Sequence, residues 1–213
     1  MAKYTLYNRP GSGGFAVEAA LTLARLPFEF VDVGNRPGEE MPASFRAINP
    51  WGQVPALTLP DGTLMTETGA ILIWLAAAHP EARLGPAPGS AAYGPFLRWM
   101  TFLGANIYEG VLRHGYPTRF TDDPDGADAV QSSAIRRTHE ALAVLEDAIG
   151  PSGWLQEEMS AADLYLAMLF IWCRKRADRP KIEALTHRIA AHEVIAPIWR
   201  RNFDHRPDIK WGR

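Results

Sequence analysis

The sequence is almost free of cysteine, since Cys173 is the only one among its 213 residues. A single thiol allows no disulfide within the chain and no cysteine-rich zinc site, which excludes disulfide-stapled secreted domains and zinc fingers. This composition fits a reducing compartment. We expect no metal cofactor.

Long apolar runs are also missing. The longest, from Leu164 to Cys173, is far shorter than the roughly 20 residues that a membrane-spanning helix needs. The first residues lack the apolar core of a signal peptide. We therefore expect a cytoplasmic protein that has no membrane partner.

Neither sign of charge is in excess. The chain has 22 Lys and Arg against 24 Asp and Glu, for a net charge of -2. Such a balance gives no electrostatic reason to expect nucleic acid as a partner. With 47% hydrophobic residues, the chain has enough apolar material for ordinary globular cores.

The first 80 residues alternate between strand and helix patterns. Residues 3–7 and Phe28–Val33 are predicted strands on either side of a helix over Phe15–Leu26. So short a strand–helix–strand unit predicts parallel strands. Next come a short helix over Pro42–Ile48, a hairpin formed by Val54–Leu59 and Thr63–Met65, and a helix over Glu67–His79. The predicted order is βαβαββα.

The rest of the chain has helical patterns only. Glycine and proline are concentrated in residues 81–90, as is typical of a linker. Helical periods then follow at about 90–115, 126–149, 160–176 and 180–202. We therefore predict a small α/β domain over 1–80, a linker over 81–90 and an all-helical domain over 91–213.

Three segments resemble motifs of the cytosolic glutathione S-transferase family: Asn49–Leu57, Glu67–Leu75, and Trp154–Leu155 with Ser160–Asp163. In the third, Ser160 and Asp163 have the spacing of a capping box, which is a structural role. The resemblance spans nearly the whole chain. It implies a thioredoxin-like N-terminal domain, a helical-bundle C-terminal domain and a homodimer. Bacterial beta and delta-like classes are nearest, and the class stays unassigned.

The resemblance implies a glutathione site built from Gln53, Val54, Pro55, Glu67 and Thr68. In the family, the bond before the proline is cis and the preceding residue pairs with the cysteinyl backbone of glutathione. The acidic–hydroxyl pair at the start of the next helix holds the γ-glutamyl end. By this resemblance, Thr68 donates its hydroxyl to the carboxylate and Glu67 engages the α-ammonium. An ordinary helix cap at Thr68 explains the same residue, and both roles are compatible.

A transferase must also stabilise the thiolate of glutathione, whose thiol has a pKa of about 8.5 when free. A hydroxyl donor contributes roughly 1.5–3 kcal/mol. Pro10–Gly14 resembles the segment that carries the catalytic serine of delta-like classes, which nominates Ser12. Counting back from the helix instead places Gly13 where the beta class has cysteine. Tyr7 is the competing hydroxyl, and a backbone N–H, a group from the C-terminal domain or no activation at all remain open.

The electrophile side is expected on the first helix of the C-terminal domain. The segment from Trp99 to Gly110 resembles the beta-class helix, with Thr101 and Tyr108 in place of asparagine and histidine. His114 and Phe102 are further candidates for an aromatic, hydrophobic pocket.

These features predict a glutathione transferase that attacks a small hydrophobic electrophile with glutathione as co-substrate, a detoxification reaction in the family. A non-catalytic ligand-binding or protein-interaction module on the same scaffold is the main alternative. A glutathione-dependent isomerase or lyase is the other.

Overall fold

The computed structural model describes residues 3–34, 39–123, 125–173 and 178–204. The end of the predicted helical stretch 160–176 and the last residues of the chain lie outside the described residues. By compactness the chain separates into two units. The first takes in the residues through Leu84 together with those from Ala190 onward, and the second is Gly85–Ile189. Among the described residues, no helix has the length and apolar character required to cross a membrane.

The first unit has the thioredoxin-like fold around a four-stranded sheet of order β2-β1-β3-β4. Its elements are β1 (Tyr4–Asn8), α1 (Gly14–Leu23), β2 (Phe28–Asp32), α2 (Ala43–Ile48), β3 (Ala56–Thr58), β4 (Leu64–Thr66) and α3 (Thr68–Ala78). Strands β1 and β2 are parallel, as predicted, whereas β3 is antiparallel to both β1 and β4.

Strand β1 divides its side chains between the two faces of the sheet. Tyr4, Leu6 and Asn8 are buried, while the alternating Thr5 and Tyr7 are only half-buried. Successive side chains of a strand point to opposite faces. The side chains of Asn8 and Tyr7, the last two residues of β1, therefore point to opposite faces of the sheet at the strand's carboxyl end.

Helix α1 ends earlier than its apolar pattern predicts. The pattern continues to Leu26, but the helix stops at Leu23. Arg25 adopts a left-handed conformation with φ of 54°, and the Leu26 N–H bonds back to the Leu21 carbonyl. A left-handed residue that closes the last turn in this way terminates a helix.

The described part of the second unit contains helices joined by loops and no strand, as predicted. Its elements are α4 (Tyr93–Phe102), a π-helical segment (Leu103–Tyr108), α5 (Glu109–Gly115), α6 (Ala127–Ala148), α7 (Ala161–Trp172) and α8 (Pro180–Ala191), which extends past the unit's last residue, Ile189. The π-helical segment interrupts the single helix predicted over 90–115. Helix α7 is buried along nearly its whole length, so it forms the core of this unit.

The start of α7 is fixed by Asp163, which is fully buried. Its carboxylate accepts hydrogen bonds from the Ser160 N–H at 2.8 Å and the Ser160 hydroxyl at 3.0 Å. It also accepts one from the Leu155 N–H at 2.9 Å. Burial nonetheless raises the pKa of Asp163 to about 6, because desolvation disfavours the charged form.

The last described helix, α9 (Ala196–Phe203), belongs to the first unit. The sequence predicts one helical period over 180–202, but this is wrong. The chain leaves helical conformation between α8 and α9, and Pro197, which has no N–H to donate, lies in the first turn of α9. The ring of Phe15 on α1 lies 5.3 Å from that of Trp199 and 4.9 Å from that of Phe203. These contacts explain why the residues from Ala190 group with the first unit and not with the predicted domain 91–213.

Candidate functional site

The loop between β1 and α1 is held by Asn8, whose side chain is fully buried. Its Oδ1 accepts a hydrogen bond from the Ser12 hydroxyl at 2.6 Å and one from the Gly14 N–H at 3.2 Å. The Ser12 Oγ also lies 2.7 Å from the Arg9 carbonyl oxygen. A hydroxyl has one proton to donate. Ser12, with only 8% of its surface exposed, is thus turned back toward the end of β1.

Glycine is required at position 14 because of Asn8. A Cβ on Gly14 would lie 2.1 Å from the Cγ of Asn8, which no side chain there can accommodate. The missing side chain lets the start of α1 close over the strand end, so that its first N–H meets the Asn8 amide. Asn8 is not among the site residues predicted from the sequence. A polar residue at the end of a strand, followed by a glycine-rich turn, is the signal that points to it.

Gly13 is the point at which three parts of the chain meet. Its carbonyl oxygen accepts a hydrogen bond from the Thr68 hydroxyl at 3.1 Å. A Cβ on Gly13 would lie 3.0 Å from Thr68 Oγ1, 3.1 Å from Pro55 Cδ and 3.3 Å from the Val54 carbonyl oxygen. The glycine loop, the entry to β3 and the start of α3 are therefore in direct contact.

The peptide bond between Val54 and Pro55 is cis, as the sequence analysis expects. Pro55 is buried and Val54 is half-buried. Among the described residues, none accepts a hydrogen bond from the Val54 N–H. An unpaired backbone N–H beside a loop is a group that an extended peptide ligand can use.

Asn49 shapes the turn that leads to Val54. Its side chain is buried, donates to the Gln53 carbonyl at 2.8 Å and accepts from the Trp51 N–H at 3.2 Å. Gln53 is half-buried at the end of this turn. Asn49 lies within the segment that carries the resemblance, and its role is to fix the backbone next to the candidate site.

Helix α3 begins at the same place and presents free backbone N–H groups. The first turn of a helix has N–H groups without intrahelical partners and a positive end of the helix dipole, both of which favour an anion. Thr68 is 9% exposed, and its hydroxyl is engaged by Gly13, so its backbone N–H is the donor left for a ligand. Glu67 is exposed and holds a φ of 65°. A non-glycine residue in this region is strained, and such strain is concentrated at functional sites.

Tyr7 does not join Ser12. Its ring lies 6.2 Å from that of Phe45 on α2, on the face of the sheet opposite to Asn8. Ser12 is tied to Asn8 on the other face. Of the two candidate hydroxyls, only Ser12 belongs to the loop that contains Gly13.

The electrophile candidates all lie in the second unit. Thr101 is exposed near the end of α4, and Phe102 is half-buried with its ring 5.8 Å from that of Trp99. Tyr108 ends the π-helical segment and is half-buried. The i→i+5 bonding of this segment turns Tyr108 away from the position that a regular helix would give it relative to Thr101. His114 on α5 is 2% exposed, so it lies in the interior.

Comparison with known proteins places this geometry in a family. The family model described as glutathione S-transferase, N-terminal domain, matches residues 15–78. An uncharacterised GST-like protein, YncG, of Escherichia coli strain K12 is 30% identical over 169 residues, which cover 78% of this chain and 80% of that protein. Glutathione S-transferase GstA of E. coli O157:H7 is 27% identical over 193 residues, covering 90% of this chain and 92% of that protein.

Solved structures are similar over almost the full length. A glutathione transferase homologue from Sulfitobacter, crystallised with bound glutathione, superposes with a TM-score of 0.83 at 29% identity, covering 93% of this chain and 97% of that one. A glutathione transferase from Methylococcus capsulatus strain Bath gives 0.76 at 30% identity, covering 92% and 97%.

Proposed function

Because the chain belongs to the glutathione S-transferase family, we propose that it binds glutathione on the first unit and catalyses attack of the glutathione thiolate on a small hydrophobic electrophile, which forms a C–S bond as a leaving group such as chloride departs. The observation that supports this most strongly is the convergence on Gly13 of three elements: the glycine loop, the Val54–Pro55 bond and the start of α3. Each supplies a different chemistry that a γ-glutamyl tripeptide needs.

The γ-glutamyl end is assigned to the start of α3. Its carboxylate meets the backbone N–H groups at Thr68, where the helix dipole is favourable. Its ammonium meets the exposed carboxylate of Glu67. The positive φ of Glu67 directs this residue out of the regular helix path, and the strain is consistent with a ligand-binding role.

The cysteinyl part is assigned to Val54. Its unpaired N–H and neighbouring carbonyl offer the pairing that an added strand makes. Gly13 packs closely against this segment, because even a methyl group on Gly13 would lie within 3.3 Å of Val54, Pro55 and Thr68. Gln53, at the end of the turn held by Asn49, is assigned to the same part of the ligand.

The sulfur end is assigned to Ser12 together with the start of α1. The Ser12 hydroxyl exchanges its bond to Asn8 for one to the thiolate when glutathione binds. The positive end of the α1 dipole adds to this stabilisation. The exchange requires only rotation about the Ser12 Cα–Cβ bond, since Gly14 continues to satisfy the Asn8 Oδ1.

The second candidate function is a glutathione binder without catalysis. The specific observation in its favour is the 2.6 Å bond from Ser12 to Asn8. If that bond persists in the complex, the hydroxyl contributes nothing to the thiolate.

Calorimetric titration with reduced glutathione, followed by a conjugation assay with chlorodinitrobenzene, separates these functions. The proposal expects saturable binding and a conjugation rate above that of free glutathione. Binding without rate enhancement supports the binder, and no binding at all overturns both.

We extend the proposal to a homodimer, which the family resemblance implies. Light scattering coupled to size-exclusion chromatography is expected to give twice the chain mass of 23.6 kDa. A monomer at micromolar protein concentration would contradict the proposed homodimer.

A further inference from the structure

We infer that Asn202, on the last described helix, is a positioning residue for the sulfur end of the site. The inference rests on the proposed function, which assigns that end to the Ser12 loop. The feature that carries it is a hydrogen bond between residues 191 positions apart in sequence: the Gly11 N–H donates to the Asn202 Oδ1 at 2.9 Å.

Asn202 is fixed in one orientation. Its side chain is 1% exposed, and its Nδ2 donates to the Ile198 carbonyl at 2.8 Å within α9. Reversing the amide would set an NH2 group against the Gly11 N–H and lose both bonds. A buried amide with both ends satisfied acts as a rigid acceptor for the loop.

Gly11 donates this bond from a left-handed backbone conformation close to α9. Its φ is +77°, and a Cβ at this position would lie 3.3 Å from the Asn202 carbonyl oxygen. The next residue is Ser12, whose carbonyl accepts the Phe15 N–H at 3.2 Å. The acceptor on α9 therefore sets the backbone from which both the Ser12 hydroxyl and the start of α1 project.

Two further contacts keep α9 in place behind the loop. Phe15 packs edge-on against Trp199 and Phe203. One turn further along α1, Glu18 accepts a hydrogen bond from Arg201. Glu18 is 5% exposed, and burial raises the pKa of its carboxyl group even though Arg201 and Asn202 act in the opposite direction. A buried carboxylate without a partner is costly. Because moving α9 away from α1 would separate Arg201 from Glu18, this ion pair holds the two helices together.

The consequence is that the geometry around the sulfur depends on a residue that does not itself face the ligand. Loss of the acceptor leaves the Gly11 N–H unpaired and lets the loop relax. Displacements of about 1 Å reduce catalytic interactions strongly. The γ-glutamyl end is assigned to Glu67 and to the backbone N–H of Thr68 at the start of α3, and we expect it to keep most of its affinity.

The experiment compares the pKa of the bound glutathione thiol, by ultraviolet absorbance, in wild type, Asn202→Ala, Asn202→Ser and Arg200→Ala. Arg200 is an exposed neighbour on α9 and is the matched control. In Asn202→Ala we expect the thiol pKa to rise by about one unit. The kcat near neutral pH should fall about tenfold while KM for glutathione changes less than about threefold. Asn202→Ser, which keeps an oxygen acceptor, should lie between wild type and Asn202→Ala, and Arg200→Ala should match wild type.

An Asn202→Ala protein with native circular dichroism and an unchanged thiol pKa overturns the inference. If that variant does not fold, Asn202→Leu, which keeps a similar side-chain volume but has no acceptor, decides in its place, and a wild-type thiol pKa there overturns the inference as well. A wild-type protein that does not lower the pKa of glutathione overturns the proposed function instead, and this inference with it.

Discussion

The hydroxyl of Ser12 lies 2.6 Å from the Oδ1 of Asn8 and 2.7 Å from the carbonyl oxygen of Arg9. Among the described residues, Asn8 has no partner for its buried Nδ2. Its Oδ1, in contrast, serves both Ser12 and Gly14. Asn8 thus holds the loop between β1 and α1 through these two hydrogen bonds. Under the proposed function, we expect Ser12 to leave Asn8 when it donates to the thiolate.

Replacing Asn8 with alanine should destabilise the protein more than replacing Ser12. Asn8→Ala leaves the buried Gly14 N–H without its acceptor, takes one of two acceptors from the Ser12 hydroxyl and opens a cavity, for which we expect a loss of about 2–3 kcal/mol in unfolding free energy. Ser12→Ala removes one donor and should cost about 1 kcal/mol. Urea unfolding followed by tryptophan fluorescence measures both. Equal losses for the two variants would show that Asn8 does not organise the loop.

Substitution of Gly14 by alanine should be severely destabilising. The added Cβ would lie 2.1 Å from Asn8, so either the amide or the start of α1 must move, and overpacking of this kind costs about 1–3 kcal/mol or more. Gly94→Ala is the matched control, because Gly94 lies in α4 with no atom near its Cβ position. Alanine there should be neutral or stabilising by up to about 1 kcal/mol. Thermal unfolding of the two variants checks the prediction, and similar melting temperatures would refute it.

Replacing Glu67 with glutamine should weaken glutathione binding without affecting the fold. The residue is exposed, and exposed substitutions usually change stability by less than about 0.5 kcal/mol. Loss of a charge-assisted bond to the ligand ammonium should raise the Kd about tenfold. Calorimetry on Glu67→Gln and on Glu193→Gln, an exposed glutamate of the same unit, provides the comparison. An equal Kd in both variants would remove Glu67 from the site.

The buried Asp163 gives stability a characteristic pH dependence. Its pKa is raised to about 6 in the folded state from 3.8, so the folded protein binds the proton more tightly than the unfolded chain. The contribution of Asp163 to the free energy of unfolding is therefore fully present below about pH 4 and is lost as the pH rises through about 6. The total loss is about 3 kcal/mol.

Asp163→Asn removes this titration and leaves all others in place. The difference in unfolding free energy, wild type minus variant, should fall as the pH is raised from about 4 to 7. Because Glu18 titrates in both proteins, its contribution cancels. A difference that is constant over this range would mean that Asp163 titrates equally in the two states.

The order of elements was predictable from the sequence because each depends on local patterns. Alternating apolar residues mark β1 and β2, and the proline and glycine turn between β3 and β4 marks the hairpin. The cis bond at Pro55 and the position of Glu67 and Thr68 at the start of α3 followed from motifs that the family resemblance supplied.

The remaining features depend on contacts that no local pattern encodes. The Asn8–Ser12 bond requires the strand end and the loop to fold back on each other. The Gly11–Asn202 bond joins opposite ends of the chain, and the apolar period over 180–202 gave no sign that α9 separates from α8. The π-helical segment at Leu103–Tyr108 changes the direction in which Tyr108 projects from the helix. The 3.6-residue helical period of the sequence does not predict this change.

The pKa of the glutathione thiol, measured by ultraviolet titration of the bound ligand, tests the central claim most directly. Wild type should hold the thiol about one to two units below the value of about 8.5 for a free thiol. In Ser12→Ala the pKa of the bound thiol should rise most of the way back to the free value, whereas in Tyr7→Phe it should equal the wild-type value. A thiol that titrates in the wild-type complex as it does in free solution would contradict the account.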